Sequence, residues 1–310
     1  MGEAAAPKTD HLYGGQAVIE GVMMRGAAHW AVAVRRPSGD IHVESHDIDS
    51  IARRHPLLAK PFLRGIIVLG QSMSIGMRAL SIAANQSSEE EEQVSSKQMG
   101  FSLALALVLF VAVFVAGPAL LFGWVQHRVG SGLLVNVLEG LFRVALFVAY
   151  LFAIGRTKEI HRVFEYHGAE HKTIAAYEHD EPLDPEHVDR YSTVHVRCGT
   201  NFLIIVMIIT IFVFALFGTP GIWWRIGSRI VAIPIIAGLA YELLRLGARY
   251  EGSPAMRALM APGLWLQRIT TQAPDRGQIE VAIASFQEVL RREEGAVDAV
   301  PDAQRGTANP

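Results

Sequence analysis

Long apolar runs alternate with compact polar segments along this chain, and that alternation predicts most of its elements. Four runs are expected to be membrane-spanning helices: Phe101 to Trp124, Gly132 to Gly155, Asn201 to Trp224, and Ile230 to about Leu246. A bilayer core takes about 20 apolar residues of helix. Gly117-Pro118 marks a kink in the first run, and Pro234 lies in the fourth. A fifth stretch, Ile66 to Met77, lies between Arg64 and Arg78. It is too short to span by itself and reads as an interfacial or re-entrant part of a helix from about Pro61 to Ala84. Glu139 and Arg143 fall inside the second run, four residues apart on one face, where they can pair away from lipid.

The polar segments carry other periods. Trp30, Val32 and Val34 alternate with smaller residues, Pro37-Ser38-Gly39-Asp40 has turn chemistry, and Ile41 and Val43 alternate with His42, Glu44 and His46. This predicts a β-hairpin with a solvated histidine face. Glu89 to Glu92 belong to a solvated linker. Ile279, Val281, Ile283, Phe286 and Leu290 predict a terminal amphipathic helix over Gln278 to Glu294, with disorder after Gly295. The expected fold is mainly α: a polytopic four-helix transmembrane protein with a small cytoplasmic α+β portion. Its segments are 1–60 (β element with a glycine-rich motif), 61–100 (interfacial helix and acidic linker), 101–155 (first two spans), 156–200 (a polar helix and loop), 201–247 (last two spans) and 248–310 (terminal helix and tail).

Composition agrees. Of 310 residues, 51% are hydrophobic and only 19% charged, with a mean hydropathy of +0.27; a soluble domain carries nearer a quarter charged residues. The net charge of −2 points to no nucleic-acid partner. The single cysteine, Cys198, excludes an intramolecular disulfide. Met1 to Asp10 is polar and alanine-rich, so no cleavable signal peptide is expected. Arg156, Lys158, Arg162, Lys172, Arg190 and Arg197 crowd the loop between the second and third runs, whereas the two shorter turns hold Arg128, and Arg225 with Arg229. The positive-inside rule then makes the large loop cytoplasmic, and four spans put both termini on that side too.

Chemistry concentrates in that loop. His167 and His171 are one helical turn apart with Glu170 beside them. In the order His-x-x-Glu-His, two imidazoles can grip one divalent metal, and the glutamate can act as base on a metal-bound water. The plain alternative is a polar helix face with solvated histidines. A metal site needs a third protein ligand; His195, Cys198, Glu20 and Glu242 are the candidates, and a thiolate favours zinc or iron over magnesium. Cys198 could equally be a small buried residue at a helix start. Thr200 and Asn201 can cap the third span. In Gly14-Gly15-Gln16-Ala17-Val18-Ile19-Glu20-Gly21-Val22-Met23-Met24-Arg25-Gly26, Glu20 and Arg25 could ligate a metal and clamp an anion, or simply form an ion pair in a tight loop–strand–loop. Gln267 to Thr271 are polar, after an interfacial Trp265, and can cap the last helix or touch a ligand.

The glycine-rich run, Tyr166 to Lys172, Arg197-Cys198-Gly199-Thr200 and Leu266 to Thr271 together resemble the YqhQ-type bacterial membrane proteins, the domain-of-unknown-function family numbered 1385. The resemblance runs from about Tyr13 to about Leu290. It implies a multi-pass protein of the bacterial inner membrane and, through the family's label of predicted metal-dependent enzyme, adds weight to Glu20, Arg25, His167, Glu170, His171 and Cys198 as site residues. Zinc is the expected cofactor, and membrane lipids or a second copy of the chain are the expected partners. Three functions fit: a metal-dependent hydrolase, a non-catalytic scaffold or biogenesis factor, and a transporter or metal carrier using Glu139 and Arg143.

Overall fold

A computed structural model describes residues 13–49, 60, 63–88, 96–129, 132–216, 222–250 and 253–298. The polar start and most of the acidic linker lie outside them. Four strands come first: β1 (Gly14–Val18), β2 (Gly21–Arg25), β3 (His29–Arg35) and β4 (Ile41–Asp47). They form an antiparallel meander in the order β1-β2-β3-β4. The hairpin expected around Gly39 is present as β3–β4, with Arg35 opposite Ile41 and Gly39 at a positive φ of 93°. The glycine-rich run is a second hairpin rather than a loop–strand–loop. Val18 faces Gly21 across the Ile19-Glu20 turn, and Glu20 adopts φ 52°.

Helices cover both faces of the sheet, and the period-two pattern sorts side chains between them. Trp30, Val32 and Val34, with Val18 and Met23, pack on Ile75, Ala79 and Ala83 of α1 (Leu63–Gln86). The alternate set, Val22, Met24, Ala31 and Ala33, packs on Tyr166 and Ala169 of α5 (Lys158–Glu178) and on Ile279, Ile283 and Phe286 of α10 (Arg276–Asp298). Ala31 and Ala33 are small enough for α10 to approach until Ser285 donates its hydroxyl to the Ala31 carbonyl. The α10 start is a reciprocal cap: Asp275 Oδ1 accepts from the Gln278 N–H, and Gln278 Oε1 accepts from the Asp275 N–H. The helix runs through Gly295 to Asp298, past the end expected from sequence.

The apolar part comprises α2 (Ser96–Val111), a π-helical turn at Ala112–Ala116, α3 (Gly117–Val129), α4 (Gly132–Ile154), α7 (Gly199–Leu216) and α8 (Ile222–Arg249). Pro118 explains the π turn: it lacks an N–H and its ring would press on the preceding turn, and one extra residue widens that turn. The short α6 (Pro185–Val188) and the amphipathic α9 (Pro254–Thr270) complete the chain. Among the described residues, four helices are long and apolar enough to cross a membrane: Leu63–Gln86, Gly100–Val125, Gly132–Ile154 and Gly199–Leu216. Their outward Leu and Phe side chains are exposed, as in a membrane protein.

Three of the four coincide with runs read from sequence. The other is α1. Arg64 and Arg78 bracket a stretch too short to span, but the helix continues past the exposed Arg78 to Gln86. With α1 among the possible spans, counting helices no longer fixes the termini to one side. The Ile230 run lies inside α8, with Pro234 within the helix.

Candidate metal centre

The centre forms where the polar layer meets the apolar helices. α5 supplies His167, Glu170 and His171, and the loop entering α7 supplies Cys198. The histidine nitrogens and the Cys198 sulfur lie within 4.8 Å of one another, and His167 Nε2 is 3.2 Å from Cys198 Sγ.

Backbone carbonyls orient both rings. His167 Nδ1 is 2.8 Å from the Thr270 carbonyl, and His171 Nδ1 is 2.5 Å from the Thr193 carbonyl. A carbonyl only accepts, so each Nδ1 carries the proton and each Nε2 keeps a lone pair, the arrangement of a metal-ligating imidazole. His171 Nε2 is buried with no hydrogen-bond partner, as is Glu170 Oε2. Burial holds the His171 imidazole well below its usual pKa, aided by the neighbouring His167, so the ring stays neutral. Burial also pushes the Glu170 carboxyl up to about 8, against the opposing pull of His167 and the Gly15 N–H. Cys198 sits at the cap position of α7, where its sulfur accepts from the Thr200 N–H at 3.4 Å and contacts Thr200 Oγ1 at 2.8 Å. Burial raises the thiol's pKa, while the Thr200 contacts oppose that. The cap role expected of Thr200 and Asn201 thus falls partly to Cys198; Asn201 instead donates its amide to the Val196 carbonyl.

Gly168, between the histidines, makes this possible. A Cβ there would meet the Gln272 carbonyl oxygen at 2.1 Å and Thr193 Cγ2 at 3.1 Å. Only glycine lets the segment after α9 and the Thr193 loop close on α5 from both sides. Gln267, fully buried, holds the loop by exchanging two 2.8 Å hydrogen bonds with the His195 backbone. Neither role has a local sequence signal beyond the glycine itself.

The other ligand candidates go elsewhere. His195 has its ring 5.8 Å from that of His171, but its Nε2 is 3.2 Å from Glu178, which also pairs with Arg197. Glu20 holds Arg162 in a two-pronged ion pair and accepts from Tyr166 at 3.2 Å. Arg25 does not pair with Glu20; it donates to Ser72 at 2.6 Å. Glu242 pairs with Arg64. A cavity of about 310 Å³ opens over the cluster, lined by Gly15, His167, Glu170, His171, His195 and Cys198 among others, a size at the lower end for small-ligand sites.

Two imidazoles oriented through Nδ1 by backbone carbonyls, one sulfur and an orphaned buried carboxyl oxygen suit a zinc-like cation. Residues 60–292 match the family described as "Protein of unknown function (DUF1385)". The chain is also similar to the uncharacterized protein YqhQ of Bacillus subtilis (strain 168), 36% identical over 305 residues that cover 92% of this chain and 94% of that protein. No solved structure matches.

Proposed function

The chain belongs to the DUF1385 family, and from that premise we propose that it is a metal-dependent hydrolase holding a zinc-like divalent cation at the cytoplasmic face of the bacterial inner membrane. His167 Nε2, His171 Nε2 and Cys198 Sγ are the ligands. The observation that carries this reading is that a ring nitrogen of each histidine and the Cys198 sulfur lie within 4.8 Å of one another, with both Nδ1 atoms already committed to carbonyls. A cation with three protein ligands keeps a position for water and brings that water's pKa towards neutrality. Glu170 Oε2 lines the same cavity and is the proton carrier: it takes a proton from water and returns it to the leaving group. Burial raises its pKa to about 8 in the metal-free fold. Gly15 N–H and the Thr270 and Thr193 carbonyls do no chemistry; they orient the groups that do. Lipid acyl chains are the partners of the exposed apolar side chains on α2, α4 and α7.

Metal content decides the matter. Purified wild type should hold about one zinc per chain by inductively coupled plasma mass spectrometry. His167→Ala, His171→Ala and Cys198→Ala should each lose most of it, and Glu170→Gln should keep it. Equal, substoichiometric metal in wild type and the histidine variants would remove the reading.

A further inference from the structure

Among the described residues, β1 ends the sheet and pairs only with β2. Across the two-residue turn, the pairs Val18↔Gly21, Gln16↔Met23 and Gly14↔Arg25 exchange the ladder hydrogen bonds, and the alternate residues Gly15 and Ala17 turn their N–H and C=O groups away from β2. The Gly15 N–H is used: it donates to the Glu170 carboxylate. The Gly15 carbonyl and both Ala17 backbone groups have no partner among the described residues. Gly14, Gly15 and Gln16 are exposed. Strand edges are normally protected by a lysine, a proline, a bulge or a covering element. This edge has no charge and no proline, and it forms one wall of the cavity that holds His167, Glu170, His171 and Cys198.

A second feature points into the same space. Glu170 and His171 are 5% and 2% exposed, and Glu170 Oε2 and His171 Nε2 lack hydrogen-bond partners. Gly15 lets the edge come this close, since a Cβ there would lie 2.8 Å from Glu170 Cδ. We propose that the outer edge of β1 binds the substrate as an added strand, so that the substrate is an extended polypeptide and the bond broken is a peptide bond. This rests on the hydrolytic reading of the metal centre. Outward backbone groups at alternate residues match the spacing of an extended peptide. In the reaction one water is consumed. Its oxygen bonds to the carbonyl carbon, the C–N bond breaks, and a proton passes through Glu170 to the leaving nitrogen, giving a carboxylate and an amine.

Ala17→Pro tests this with little collateral damage, because it deletes an outward N–H that the β1–β2 ladder does not use; Ala17→Ser is the control that keeps it. Full-length protein in nanodiscs is given a mixture of blocked decapeptides. Hydrogen–deuterium exchange is followed over residues 13–20, with cleavage and zinc content measured on the same samples by mass spectrometry. The expected result is slower exchange of that segment with peptide in wild type and Ala17→Ser, and about tenfold weaker protection and cleavage in Ala17→Pro at unchanged zinc. The wild-type exchange result stands whether or not the proline variant folds. Stoichiometric zinc with no peptide-dependent protection in wild type, or with equal protection in Ala17→Pro and Ala17→Ser, overturns the inference and leaves the metal reading intact. Absent zinc in wild type overturns the metal reading instead.

Discussion

Glu170 and His171 are neighbours in sequence, yet burial moves them in opposite directions on the pH scale, and both shifts are measurable as stability. In the metal-free fold Glu170 keeps its proton up to about 8, while the unfolded chain releases it near 4.5. The folded state therefore binds the extra proton between those values, and stability falls as pH rises through that window, by up to about 1.4 kcal/mol per unit. His171 acts on the acid side. Its folded pKa lies well below 6.5, so the unfolded chain takes up a proton that the fold refuses, and stability falls as pH drops below 6.5. Of these two groups, Glu170 alone sets the slope between about 6.5 and 8. The unfolding midpoint of chelator-treated protein should decline more steeply across that interval in wild type than in Glu170→Gln. Parallel curves for the two would mean that Glu170 is solvated, not buried against Gly15.

At the scale of elements, the α5 helix is held in place by what crosses Gly168. Gly168→Ala places a methyl group 2.1 Å from the Gln272 carbonyl oxygen, which is backbone and cannot rotate aside. The segment after α9 must withdraw, loosening the Gln272 N–H to Phe164 carbonyl bond and the Thr270 carbonyl on His167. We expect a loss of about 1–3 kcal/mol in stability. Zinc affinity should fall by about 10–100-fold, read by competition with a chromophoric chelator; unchanged affinity would mean that the Thr270 carbonyl does not orient the ring. How much of this was legible in the sequence follows from the distance over which each element is decided. Most helices and the β3–β4 hairpin rest on local periods and turn residues and lie where the pattern places them; α9 carried no such signal, because Pro262 reads as a loop residue yet lies inside the helix, and α1 runs on past Arg78. The β1–β2 hairpin was hidden because glycines blunt the alternation of β1 and because pairing, not propensity, makes it a strand. Within the site, His167, Glu170 and His171 were readable as one turn of helix. Separating Cys198 from His195 was not, since both precede α7 and only the Glu178 carboxylate, 3.2 Å from His195 Nε2, draws that ring aside. Glu20 looked to Arg25, five residues on, whereas its partner Arg162 is 142 residues away in the chain.

For the molecule as a whole, the candidate metal cluster joins two parts of different character. Its histidines belong to the sheet-packed α5, and its sulfur to the cap residue before α7, one of the helices apolar enough to span. The charged pair inside α4 belongs to the second part only. Glu139 and Arg143 are bonded to each other, and Arg143 also donates to the Val115 carbonyl at 3.4 Å. They line a separate cavity of about 90 Å³ between α4 and α7, with Asn136 and Thr210. If this pair is a packing device and not a pathway to the cluster, removing one member leaves a buried charge, and removing both restores an apolar interface. Glu139→Leu alone should then destabilise by about 3 kcal/mol, and Glu139→Leu with Arg143→Leu by much less, as read from unfolding midpoints in nanodiscs. All the folded variants should carry the same zinc per chain as wild type. A double variant that folds as well as wild type but gains or loses zinc would instead tie the intramembrane charges to metal delivery and favour a carrier over a hydrolase.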